Sequence, residues 1–176
     1  MQPVISNIYR RQTGFSMIEV LITLVLISIG VLGMVALQGR TIQYTQDATQ
    51  RNVAASLAND LMELMRARPE GLPESSGFYK AKGAAFPEKP ASCMPLPSET
   101  EKQLGCWATK VQQSLPGVED LMTSDFYICR SKTRGTCTPD GDAIEIRIAW
   151  TAKTGECSDA SSGEGSTCSY VLRSQL

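Results

Sequence analysis

The 21 residues from Met17 to Leu37 read MIEVLITLVLISIGVLGMVAL and contain a single charged side chain, that of Glu19. A helix of this length spans about 32 Å, enough to cross the roughly 30 Å hydrocarbon core of a bilayer. The run is also longer than the roughly 7–15 apolar residues of a removable secretory signal. We therefore expect a transmembrane segment within residues 15–39.

The residues that flank the apolar segment predict its orientation. Arg10 and Arg11 precede the segment with no acidic residue before Glu19, and Arg40 is the nearest basic residue that follows it. Basic residues stay preferentially on the cytoplasmic side of a membrane. The N-terminus is therefore expected in the cytoplasm, with most of the chain on an oxidising side such as a bacterial periplasm or a secretory lumen.

Glu19 lies close to the start of the apolar segment, where a carboxylate has two interpretations. A charge at mid-bilayer costs about 2.5–3.5 kcal/mol, so the side chain is either near enough to the helix end to reach the headgroups or is paired with a cation. Cleavage after Gly14 would give Phe15 a free α-amino group about one helical turn from Glu19. That amine is a candidate partner in the same chain or in a neighbouring one.

Residues 10–21, RRQTGFSMIEVL, resemble the prepilin leader of type IV pilins and type II secretion pseudopilins. A basic leader, a glycine, a phenylalanine and a glutamate four positions later occur in that order, and an apolar helix follows. The resemblance implies that prepilin peptidase removes residues 1–14 by cutting between Gly14 and Phe15 and that Phe15 is N-methylated. It also implies that Glu19 guides the subunit into a helical filament.

The continuation from Ile29 to Gln38 resembles the PilV-type minor pilins most closely. That resemblance implies a structural protein with one pass through the inner membrane and a periplasmic head. Its partners would be other minor pilins and the major pilin, near the tip of a pilus that serves adhesion and twitching motility. The chain departs from major pilins, which usually carry a proline part-way down this helix, because it has none between Pro3 and Pro69.

Two alternatives to a minor pilin stay open at this point. One is a pseudopilin of a type II secretion system, which has the same leader and long helix. The other is a signal-anchored periplasmic enzyme or binding protein that keeps its N-terminal helix and is not cleaved after Gly14.

The helical pattern continues beyond the apolar segment to Arg68. Residues 40–68 contain no glycine or proline, and small or apolar side chains recur every three or four positions. The stripe from Leu57 to Met65 is expected to pack on the chain's own head, and Pro69 ends the helix. The predicted divisions are a leader at 1–14, a long helix at 15–68 and a head at 69–176.

The head is expected to be small, and the whole chain to be a pilin-like α+β protein. Residues 71–97 hold five of the nine prolines and predict a loop. An amphipathic helix is expected over Glu99–Ser114. Three strand patterns follow and are most simply joined as an antiparallel meander; they cover Phe126–Cys129, Ala143–Thr151 and Ser169–Arg173.

Six cysteines in an oxidising compartment predict disulfides. They are Cys93, Cys106, Cys129, Cys137, Cys157 and Cys168. The sequence alone does not choose among the many possible pairings, although short loops favour consecutive pairs. Each such bridge would be worth about 2–4 kcal/mol. A zinc or redox site is disfavoured because the chain has no Cys-x-x-Cys motif and no histidine.

The composition argues against catalysis and against nucleic-acid binding. The absence of histidine removes His-based catalytic dyads and triads, and no other nucleophile–base arrangement stands out. The 17 basic and 18 acidic residues leave no overall positive field. We expect no catalytic residue, metal site, cofactor or nucleic-acid partner.

Overall fold

A long helix, α1, covers Met17–Arg66 in the computed structural model, which describes residues 14–67, 73–153, 156–157 and 166–175. The chain divides into two units, with the boundary between Ile42 and Gln43, so α1 contributes to both. The predicted leader except Gly14, the predicted helix end at Arg68, and most of the serine- and glycine-rich stretch before the last strand lie outside the described residues.

The first unit is the apolar part of α1. Its large hydrophobic side chains are exposed on every face of the helix, from Met17 to Ile42. Among the described residues, α1 is the one helix that is long and apolar enough to cross a membrane. A helix that is hydrophobic all round belongs in lipid or among other apolar helices.

The part of α1 in the second unit has one buried face. Its buried side chains are Asp47, Ala54, Leu57, Ala58, Leu61, Met62 and Met65. The predicted packing of the Leu57–Met65 stripe on the head is therefore confirmed. Tyr44 is 67% exposed, so the stripe does not extend to the start of this unit.

A second helix, α2, packs beside α1 and covers Thr100–Ser114, within one residue of the predicted helix. The indole Nε1 of Trp107 donates a hydrogen bond to the Leu57 carbonyl oxygen at 2.8 Å, which ties the two helices together inside the core. A Cβ at Gly105 would lie 2.5 Å from the carbonyl oxygen of Glu88. The proline-rich loop thus crosses α2 at a point where only glycine fits.

A four-stranded antiparallel sheet completes the head, in the order β2-β1-β3-β4. The strands are β1 at Tyr127–Thr133, β2 at Thr136–Cys137, β3 at Ala143–Thr151 and β4 at Thr167–Ser174. A short helix, α3 at Leu121–Ser124, precedes them. The three predicted strands are present as an antiparallel meander, whereas β2 was not predicted.

One face of the sheet forms the core with the two helices. The isoleucines of β3 and Trp150 alternate along this face and are buried. Phe86, from the proline-rich loop, contacts both Trp107 and Phe126, with 5.9 Å between ring centroids in each case. The fold is therefore α+β, with the long apolar N-terminal helix and small antiparallel sheet of the pilin layout.

Candidate processing and assembly site

The Gly14–Phe15 peptide bond lies in exposed, non-helical chain just before α1. Both residues are exposed, and Phe15 is 84% exposed. A Cβ placed on Gly14 would have no neighbour within 4 Å. Helical backbone would have to unwind before a peptidase cut it, so the position of this bond outside the helix suits proteolysis.

Glu19 lies in the first turn of α1, a few residues after this bond. The backbone N–H groups of Glu19 and Val20 donate to the carbonyl oxygen of Ser16, at 3.0 and 3.3 Å. Four residues separate Phe15 from Glu19, which is about one turn of helix. An acidic side chain in the first turn also interacts favourably with the positive end of the helix dipole.

The Glu19 side chain is exposed, and within the described part of the chain it forms no ion pair. Its carboxylate therefore faces the surroundings of the helix rather than the interior of its own unit. In an apolar medium such a group is stable only with a cation or with hydrogen-bond donors close by. An amine on a neighbouring chain or on Phe15 itself meets that requirement.

The six cysteines form three disulfides in the second unit. They pair consecutively, as Cys93–Cys106, Cys129–Cys137 and Cys157–Cys168, with Cα atoms 5.2–5.8 Å apart. The first bridge joins the proline-rich loop to α2, the second closes the β1–β2 hairpin, and the third fixes the chain after β3 to β4. The cysteines thus stabilise the head and take no part in the site at Gly14–Glu19.

A buried carboxylate on β3, Glu145, organises the β1–β2 hairpin and was not predicted. It is fully buried and accepts hydrogen bonds from the Tyr127 hydroxyl at 2.6 Å, the Ser131 hydroxyl at 2.9 Å and the Gly135 N–H at 2.8 Å. Burial, together with the hydrogen bond to the Glu145 carboxylate and its charge, raises the pKa of Tyr127 to about 12. The alternation along β3 places Glu145 on the face of the sheet away from the isoleucines. It contains no signal that a hairpin covers this residue.

A buried lysine, Lys80, lies beside the edge of β1 that faces away from β3. Its Nζ donates to the Phe126 carbonyl oxygen at 2.9 Å and lies 4.9 Å from the centre of the Phe86 ring. Burial lowers the pKa of Lys80. Its backbone N–H and carbonyl also pair with Ile128, at 2.9 Å each. Lys80 therefore anchors the segment that continues the sheet beside β1.

Comparison with known proteins matches one family model to the N-terminal part of the chain. The prokaryotic N-terminal methylation motif matches residues 9–35, which include Gly14, Phe15 and Glu19. No curated protein and no solved structure is significantly similar to the chain. The match is of the prepilin type and supports a place among pilins and pseudopilins, and with the apolar helix it indicates membrane anchoring.

Proposed function

We propose that the protein is a minor pilin that takes part in the assembly or initiation of a type IV pilus. The methylation motif over residues 9–35 carries this proposal, because it combines the Gly14–Phe15 bond with Glu19 at the start of an apolar helix. Prepilin peptidase would cut between Gly14 and Phe15 and N-methylate Phe15. The mature chain would then leave the inner membrane for the pilus.

The proposed assembly contact is an ion pair between Glu19 and an N-terminal amine. Cleavage converts the Phe15 nitrogen from an amide into a cation, and the two charges attract strongly where water is excluded. The apolar side chains of α1 up to Ile42 are exposed on all faces, which suits packing among lipids and then among neighbouring helices. The pair would set the axial position of each subunit as it enters the filament.

The head would supply the contacts that make this subunit specific. Three disulfides and one hydrophobic core join the described segments of the head, which lowers the conformational entropy lost when it binds another subunit. The likeness of residues 29–38 to PilV-type minor pilins supports a position near the tip, with other minor pilins and the major pilin as partners. The proposed role is structural, with no catalytic step.

Replacing Glu19 by alanine tests the assembly contact. We expect Glu19→Ala to be cleaved and retained in the membrane as efficiently as the wild type, but to be reduced at least tenfold in sheared pili. Glu19→Asp, which keeps the charge, serves as the matched control and should retain part of the incorporation. Immunoblots of the membrane and pilus fractions give both quantities, and wild-type incorporation of Glu19→Ala would contradict the assembly role.

The same fractions separate the pilin from the pseudopilin interpretation. A minor pilin is found in sheared surface pili, and its deletion lowers piliation. A pseudopilin is absent from such pili, and its deletion instead blocks secretion of exoproteins. If the wild-type chain is absent from sheared pili and its deletion blocks secretion of exoproteins, the pseudopilin alternative replaces the proposed function.

A further inference from the structure

A pocket of about 460 Å³ lies in the second unit, on the side of β1 that faces away from β3. Its lining residues come from three segments, 79–82, 128–130 and 137–139. None of them belongs to the site at Gly14–Glu19. The processing and assembly roles therefore leave this pocket unexplained.

The fold builds the pocket from a break in the edge of the sheet. Lys80 pairs with Ile128 on one side of the break, and the Thr138 N–H donates to the Arg130 carbonyl oxygen at 2.8 Å on the other. The Cys129–Cys137 disulfide fixes the second side, while the buried Lys80 ammonium fixes the first. Both walls are thus held before any ligand arrives, which reduces the entropy lost on binding.

The chemistry of the lining is apolar and positively charged. Ile128, the Cys129–Cys137 bridge and Pro139 provide apolar surface. Lys82 and Arg130 provide two positive charges, and none of the described lining residues is acidic. The Nε of Arg130 already donates a hydrogen bond to the Tyr79 hydroxyl at 3.2 Å. Lys82 is exposed and forms no ion pair within the described residues. A complementary ligand carries an apolar group next to a carboxylate.

We propose that this pocket binds an acidic and apolar segment of a partner protein. One apolar side chain of the segment enters the pocket, and an adjacent carboxylate pairs with Lys82, close to the positive charge of Arg130. The edge of β1 beside the pocket is already paired with Lys80 and Thr138. The segment is therefore held by its apolar and acidic side chains and not by strand pairing. The inference concerns the second unit alone and does not depend on a role in a pilus.

The test uses the full chain in lipid nanodiscs and the blocked peptide acetyl-Glu-Leu-Glu-Leu-Glu-amide. Binding is followed by the methyl NMR signals of Ile128 and Ala81. We expect these signals to shift, and we expect the peptide with glutamine in place of glutamate to bind at least fivefold more weakly. Raising the salt concentration should weaken only the glutamate peptide, because salt screens exposed charges.

Two variants locate the binding site, and a third is the control. Lys82→Gln should weaken binding of the glutamate peptide about threefold to fivefold, in line with one exposed ion pair. Ala81→Trp should abolish binding of both peptides because the indole fills the pocket. Lys89→Gln removes an exposed lysine that does not line this pocket and should leave the affinity unchanged.

The proposal is overturned if the glutamate and glutamine peptides bind equally, or if Lys82→Gln binds as tightly as the wild type. Benzoate is the small-molecule comparison, and binding as tight as that of the peptide would assign the pocket to small carboxylates instead. These outcomes leave cleavage after Gly14 and incorporation into pili untouched. Failure of this inference and failure of the proposed function are therefore distinguishable.

Discussion

The two units of the chain use hydrophobic side chains in opposite ways. Up to Ile42, helix α1 exposes large apolar residues on every face and buries none of them within its own unit. From Gln43 onward, most large apolar residues lie in one core between two helices and a sheet, and three disulfides stabilise this unit. The apolar residues of the first unit are suited to contact lipids or other apolar helices, whereas those of the second unit pack against one another.

This difference explains why a single average hydropathy describes the chain poorly. The same residue type has a structural role that depends on which unit contains it. Leu26 is 64% exposed and Leu61 is fully buried, although both lie on α1. The same substitution made once in each unit therefore shows whether the two units contribute independently to the free energy of unfolding.

The largest expected effect comes from removing a core leucine of the head. Leu61→Ala should lower the free energy of unfolding by about 2–5 kcal/mol, because it leaves a cavity in a closed core. Leu26→Ala, the matched control, should change the same quantity by less than about 0.5 kcal/mol. Urea unfolding in detergent, followed by the fluorescence of Trp107 and Trp150, measures both because these side chains are buried in the head. Equal losses would show that the two units unfold as one.

The second expected effect comes from the disulfide between the proline-rich loop and α2. Replacing both Cys93 and Cys106 by alanine should lower the free energy of unfolding by about 3 kcal/mol, because the unfolded chain gains the freedom of an open loop. The Cys129–Cys137 disulfide closes a shorter loop, so the corresponding double replacement should cost about 2.5 kcal/mol. The same urea titration compares them. A loss near zero for the first pair would mean that the loop is held by packing alone.

A smaller effect is expected from Tyr127 at alkaline pH. The folded head holds the phenol proton more tightly than the unfolded chain, since the pKa of Tyr127 is raised from 10.0 to about 12. The stabilisation is complete below the ordinary pKa and is lost as the pH rises through about 12. By pH 11 the free energy of unfolding should fall by about 1 kcal/mol more for the wild type than for Tyr127→Phe. Parallel pH profiles for the two proteins would contradict the burial of this hydroxyl.

The sequence was sufficient where the pattern is local. Strand β3 has the bounds that its alternating isoleucines predict, and α2 differs from its prediction by one residue. The methylation motif is equally local, because its match lies within residues 9–35. Periodicity and spacing are properties of short segments, so these features needed no knowledge of the rest of the fold.

The features that were missed depend on contacts between distant segments. Strand β2 has two residues, too few for a period, and the polar residues that extend β1 to Thr133 resemble a turn. Glu145 has the pattern of a solvent-facing residue and is buried because the β1–β2 hairpin folds over it. The pocket beside β1 is likewise formed by three segments that meet only in the folded head.

The most direct test of the account is the mass of the mature N-terminus, measured on the chain isolated from a bacterium that has a prepilin peptidase. The account predicts a chain that begins at Phe15 and carries one additional methyl group on its α-nitrogen. An intact Met1, or cleavage anywhere other than after Gly14, would contradict it.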